Sequence, residues 1–193
     1  MSLQRGEMMR TIGQNILIFA CTGLLGCVKV NQSQESIPSI TEVASNQWRI
    51  RNQEGIGDHW NIGELERFSD RSCQEKVGAV QEVLYSYWYD YSPKQVVYDG
   101  ECNVEGHANP NTWAGGDQGE HKQVGGSWLG LQFESTQNVE CVRVCQGMDR
   151  IQWVENASLE YFNGKEWVVK GSLRLQAGES YAVVEQGAVA LTK

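Results

Sequence analysis

The side chains able to hold a ligand or a metal are concentrated between Gly100 and Ser127. This Gly- and Asn-rich stretch carries His107, Asn109, Asn111, Trp113, Asp117, Glu120 and His121. A loop of this length inside a compact domain is usually functional or mobile. Just upstream, Tyr85, Tyr87, Tyr89 and Tyr91 alternate at period two. In an extended segment their phenols share one face, and aromatic faces stack on the flat C–H faces of sugar rings. Tyr87 and Tyr89 are the contacts expected of such a platform; ordinary packing is the plainer use of the same face. Cys102, His107 and His121 are zinc-ligand types. Their spacing does not match the compact pairs of structural zinc sites, and oxidation of Cys102 removes it from any such set.

Reaction chemistry is harder to find. No Gly-x-Ser-x-Gly elbow, phosphate loop or His-Glu-x-x-His is present. Glu64 with Glu66, or Glu155 with Glu160, are the pairs a glycosidase would need, held at a set separation across a cleft. In a chain of net charge −8, acidic residues are more often solvated surface. The same charge, with no Lys/Arg cluster, argues against a nucleic-acid partner. The expectation is a binding protein rather than an enzyme.

The elements that must position these residues read as strands. Leu129, Leu131 and Phe133 share one face of an extended segment; Val142 and Val144 share one face of the next; Leu159 and Tyr161 repeat the pattern. Asn163-Gly164 then offers a two-residue hairpin turn. Short strands with one buried face and no periodic helix between them predict an all-β antiparallel sandwich. Trp48 and Ile50 point inward from an opening strand. Trp60 to Phe68 continues extended, with a bulge or face change near Glu64-Leu65 where the alternation breaks. Gln74 to Leu84 is ambiguous between helix and strand. Trp167–Val169, Leu173–Leu175 and Tyr181–Val184 are late strands, with Ala177-Gly178 as a turn, and residues 187–193 are expected to close the sheet near the N-terminal strand.

The order Asp99-Gly100, Thr112-Trp113, Trp128 to Phe133, Val142 to Val144 and Leu159 to Trp167 resembles the discoidin, or coagulation factor 5/8 type C, group of galactose-binding-like jelly rolls. Thr112 and Trp113 are adjacent here, where the family has one residue between them, and the link from Glu101 to Asn111 is longer than the family's. The resemblance implies a jelly-roll β-sandwich that binds a carbohydrate or other cell-surface ligand through loops at one end, which gives His107, Trp113 and His121 to a ligand mouth; an envelope scaffold for a protein partner is the alternative. It implies that Trp113 and Trp128 are core residues. It also implies a structural calcium ion beneath the Asp-Gly turn, with Asp99 and Thr112 at the matching positions; Ca²⁺ takes several hard oxygens at about 2.3–2.6 Å.

Cysteine spacing and the N-terminus bear on compartment. Cys141 and Cys145 lie four residues apart in a predicted strand, so their Cα atoms stand about 13 Å apart at roughly 3.3 Å per residue. A disulfide needs less than about 7 Å. Each should therefore pair with Cys73 or Cys102, as 73–141 with 102–145 or as 73–145 with 102–141, on the face opposite Val142 and Val144. Such bridges belong to an oxidising compartment. Residues 1–27 read as a signal segment, an apolar run after Arg10 ending Leu24-Leu25-Gly26-Cys27. That ending resembles the lipobox of bacterial lipoproteins, which implies lipidation at Cys27 and contact with a membrane through a lipid anchor only. Residues 28–46 read as a flexible linker, and 47–193 as one domain outside the cytoplasm.

Overall fold

A computed structural model describes residues 43–88, 94–104, 111–116 and 119–185. The signal segment, Cys27, most of the expected linker, His107, Tyr89 and residues 187–193 lie outside the described residues. Nine strands follow in order: β1 (Ser45–Asn52), β2 (Trp60–Phe68), β3 (Val80–Tyr85), β4 (Trp113–Gly115), β5 (Trp128–Gln137), β6 (Cys141–Gln146), β7 (Asn156–Phe162), β8 (Trp167–Arg174) and β9 (Gly178–Val183). They form a five-stranded sheet ordered β3-β5-β1-β7-β8 and a four-stranded sheet ordered β4-β2-β6-β9. Every ladder between them is antiparallel. The only helical pieces among the described residues are short 3-10 turns at Lys94–Val97, Gly119–Lys122 and Arg150–Gln152. The expected all-β sandwich, of a kind compatible with a jelly roll, is what the chain adopts.

The core follows from period-two alternation. Trp48 and Ile50 of β1, Leu129, Leu131 and Phe133 of β5, and Leu159 of β7 face Ile62 and Leu65 of β2 and Val142 and Val144 of β6, all buried. Trp60 and Trp113 meet edge to face, with ring centroids 6.1 Å apart. The expected irregularity in β2 is present: its register against β6 shifts between Ile62 and Glu64. Before the shift Ile62 points inward; after it Leu65 and Arg67 do. At the bulge, a side chain on Gly63 would place Cβ 2.2 Å from the carbonyl oxygen of Asn103, so glycine lets the 100–104 segment lie directly on the strand.

The two disulfides take the first of the expected pairings, Cys73–Cys141 and Cys102–Cys145, with Cα separations of 5.5 and 5.4 Å. Both bridges sit on the outer side of β6, opposite buried Val142 and Val144, and tie the 70–73 turn and the 100–104 segment onto the four-stranded sheet. Two disulfides fit an oxidising environment outside the cytoplasm. No helix among the described residues is long and apolar enough to cross a membrane.

Several local expectations change. The ambiguous segment is irregular to Ala79 and then becomes β3, because β5 supplies a partner for Val80–Tyr85. The hairpin turn falls one residue later than Asn163-Gly164. Asn163 and Glu166 flank it, with Asn163 N donating to Glu166 O, and Gly164 carries the positive φ of +92° at the first central position. Asn163 instead caps the turn, its Oδ1 accepting from Lys165 N and Glu166 N. Trp167–Val169 and Leu173 belong to one strand, β8. Trp128 is half-buried rather than core, since its neighbour Leu129 takes the inward position of β5. The tyrosine alternation leaves the sheet at Tyr85, where β3 ends.

The long sides of the sandwich differ. On one, Ser172 of β8 and Glu185 beyond β9 exchange backbone hydrogen bonds of 3.1 and 3.0 Å, joining the two sheets. On the other, the chain crosses from β2 to β3 through residues 69–79, held by a bridge between Phe68 and Lys76 and by a bond from Val77 N to Arg67 O of 3.0 Å.

Candidate functional site

β4 pairs with only Trp60, Asn61 and Ile62 of the nine-residue β2. Beyond that short ladder, on the side where the chain crosses between sheets, a cleft of about 490 Å³ enters the sandwich. Its walls come from Leu65 and Arg67 of β2, residues 76–80 of the crossing, Tyr98, and Leu131 and Phe133 of β5. That volume lies within the roughly 300–1,000 Å³ typical of small-molecule sites. Most of the lining is apolar. The rim is not: Lys76 forms an ion pair with Glu66. From there the network runs along the outer face of the four-stranded sheet, where Glu66 reaches Arg143 at 3.2 Å and Arg143 Nε donates to Glu179 at 2.6 Å. Burial works to raise the Glu66 pKa, but the bonds from Lys76 and Arg143 outweigh it and leave it below the usual value.

Arg67 is the unusual member. It is 1% exposed and projects inward beside Leu65. Its Nη2 donates to Trp48 O at 3.1 Å, and its guanidinium carbon lies 5.9 Å from the centroid of the Phe133 ring. Nε and Nη1 are buried and have no partner. Burial alone lowers its pKa to about 9, with no carboxylate opposing the shift. Glu66, its neighbour in sequence, projects to the opposite face of the sheet and is engaged by Lys76 and Arg143. Buried cations are ordinarily paired, and this one is part of a cleft's lining, its two unused donors covered from water. Its inward parity after the β2 bulge was the one sequence signal that could have found it.

A second buried ionisable group lies on the other face of the same strand. Glu64 is fully buried beneath the segment tied down by Cys102–Cys145. Its Oε2 accepts from Gly100 N at 2.8 Å, while Oε1 is without a partner. Burial pushes its pKa up to about 7, the Gly100 bond opposing and the charges of Glu66 and Asp99 adding to the rise. Neither carboxylate pair considered from sequence flanks a shared cleft: Glu66 is in the rim network, Glu155 pairs with Arg174 at 2.8 Å, and Glu160 pairs with Arg49 at 2.6 Å.

The residues expected in a loop mouth come partly together. Tyr87 and His121 rings stand 5.5 Å apart, and Trp113 Nε1 donates to Tyr87 O at 2.6 Å. Tyr87 is 38% exposed, whereas Trp113 is core, only 1% exposed. Asp99 Oδ1 accepts from Glu101 N at 2.8 Å, an Asx turn, and buried Thr112 donates to Asn61 Oδ1 at 3.2 Å. Among the described residues no three His, Cys, Asp or Glu side chains gather as a metal site. Cys102 is spent in a disulfide, which ends the zinc alternative.

One further aromatic group was not anticipated. On the outer face of the five-stranded sheet, the guanidinium of Arg49 lies 4.9 Å from the Trp128 ring and 4.3 Å from the Trp167 ring, with the two rings 6.2 Å apart. Three residues from three strands build it, so no local pattern announces it. Compared with family models, curated proteins and solved structures, the chain finds no match in any of the three.

Proposed function

We propose that this domain is a non-catalytic binding module working outside the cytoplasm, and that its ligand enters the cleft between β2 and β3. The observation that carries the reading is the cleft itself: a mostly apolar space entering the sandwich on the side where the 69–79 crossing joins the two sheets. Its polar groups are Arg67, Tyr98 and the ion-paired Lys76 and Glu66, a set suited to holding a ligand rather than transforming one. The two disulfides support the compartment. Lipidation at Cys27, with a linker to Asn46, completes the proposal as a tethered envelope protein; intact-mass analysis of the mature N-terminus tests it.

The test of the cleft is a fragment screen by ligand-observed NMR on the disulfide-intact protein, repeated on Val80→Trp, which fills the space. Hits should lose their signal in the variant. Hits that bind both proteins equally place the site elsewhere. A second reading, carbohydrate recognition on the outer sheet face, rests on Trp128 and Trp167 beside Arg49, since sugar rings stack on such indoles. A glycan-array signal lost in Trp167→Ala but kept in Val80→Trp selects that reading over the cleft.

A further inference from the structure

We propose that the cleft takes an organic carboxylate, one acid group on an apolar body, and that Arg67 is the group that seats the carboxylate. The proposal rests on the cleft being the ligand site and names the class of its ligand.

The argument begins with the donors of Arg67. A guanidinium has five N–H donors and no acceptor. Nη2 is used by Trp48 O, while Nε and Nη1 are buried without partners. Each edge of the fork, Nε with Nη2 and Nη1 with Nη2, therefore keeps an unused donor. Leaving a buried charge in this condition is costly, and the usual relief is an anion with matching geometry. A carboxylate offers two coplanar oxygens that accept from one guanidinium edge at once.

The surroundings choose among anions. Leu65, Val77, Val80, Leu131 and Phe133 line the remaining space. These walls have no groups to satisfy the hydroxyls of a neutral sugar, which would be buried unpaired. They match a hydrocarbon or aromatic body instead. The other cation of the lining, Lys76, is held by Glu66, and Glu66 itself stands on the rim with Arg143 and Glu179 beyond it. One uncompensated positive charge suits a monoanion better than phosphate or sulfate, which bring more charge and stronger hydration. Tyr98 provides a phenol on the same wall, able to donate to the acid or to pack on its body.

The predicted ligand is thus defined by two halves. The acid end finds Arg67 at the inner wall; the apolar end lies along Phe133, Leu131 and the 76–80 crossing. Removing either half should remove most of the affinity.

The test is calorimetric titration of the full-length, disulfide-intact protein with straight-chain monocarboxylates from butanoate to decanoate, with 1-octanol as the neutral counterpart of octanoate. Sodium sulfate and inorganic phosphate are run as simple anions. The expected result is affinity that rises with chain length and octanoate at least tenfold tighter than octanol. Arg67→Met should abolish that preference with the circular dichroism spectrum unchanged, and Arg67→Lys should keep part of it. Equal binding of octanol and octanoate, both lost in Val80→Trp, keeps the cleft and overturns the carboxylate. Tight sulfate or phosphate binding with no dependence on chain length overturns it in favour of a plain anion site. Failure of every probe, with fragments also insensitive to Val80→Trp, removes the cleft reading together with this one.

Discussion

Replacing Arg67 with methionine should stabilise the ligand-free protein. Burial alone moves the guanidinium from its ordinary value to about 9, and at about 1.4 kcal/mol per pKa unit this is a penalty near 5 kcal/mol for carrying the charge inside. Against it stands the bond from Nη2 to Trp48 O of 3.1 Å, worth about 1.5–3 kcal/mol for a charged donor. Methionine keeps an unbranched apolar body in the same space and gives up that bond and the guanidinium's contact with the Phe133 ring, worth about 1 kcal/mol more. The balance is a gain of about 2 kcal/mol, within the 1–4 kcal/mol seen when buried ionic groups are replaced by apolar ones of similar volume. The assay is urea unfolding of wild type and Arg67→Met at pH 7, disulfides intact and organic acids absent, comparing midpoints at unchanged slope. The effect also has a pH signature. Between about 9 and the unfolded value the unfolded chain binds the extra proton, so wild-type stability rises with pH through that window and the gap to the variant narrows. A variant less stable than wild type by more than about 1 kcal/mol, at the same slope, would mean that Arg67 is a satisfied structural residue. The account of an idle cation awaiting a ligand would then be wrong.

Three further outcomes are expected. With its pKa raised to about 7, Glu64 favours the fold while protonated; that contribution is complete below the unfolded value and is lost as pH rises through 7. Wild-type stability minus that of Glu64→Gln should therefore fall by about 3 kcal/mol between pH 4 and 8, and a flat difference in urea midpoints counts against the buried carboxyl. Removing the Cys102–Cys145 bridge as a double serine variant should cost about 4 kcal/mol in the chain-entropy account, and non-reducing peptide mapping of the wild type should recover only 73–141 and 102–145. Trp113→Ala, cutting a fully buried indole away from Trp60, should lose about 3–5 kcal/mol; a near-neutral result in thermal unfolding would return Trp113 to the surface as a ligand contact.

The strands and their inward faces were legible because alternation is local. Trp48, Ile50, Leu129, Leu131, Phe133, Val142 and Val144 needed only period two to be placed, and a two-layer sandwich is what such strands can bury. The break at Glu64-Leu65 was also legible, and it carried more than was read from it: a one-residue shift reverses every later side chain, which turns Arg67 inward and Glu66 outward. The tyrosine ladder shows the limit of a local pattern. Its alternation is intact in sequence, but β5 gives β3 a partner only as far as Tyr85, so Tyr87 stands outside the sheet, and Tyr89 and Tyr91 lie outside the described residues.

Residue spacing by itself determined that Cys141 and Cys145 cannot join, since an extended strand holds them too far apart. It also pointed to an antiparallel all-β domain, since one-faced strands with no periodic helix between them bury those faces sheet against sheet. Only the tertiary structure decided which distant cysteine each one meets, that the 3-residue ladder of β4 stops short of the crossing, and that an arginine stands there with donors to spare. Those outcomes depend on contacts between segments tens of residues apart, and nothing in the local order of side chains encodes what a third strand will bring against them.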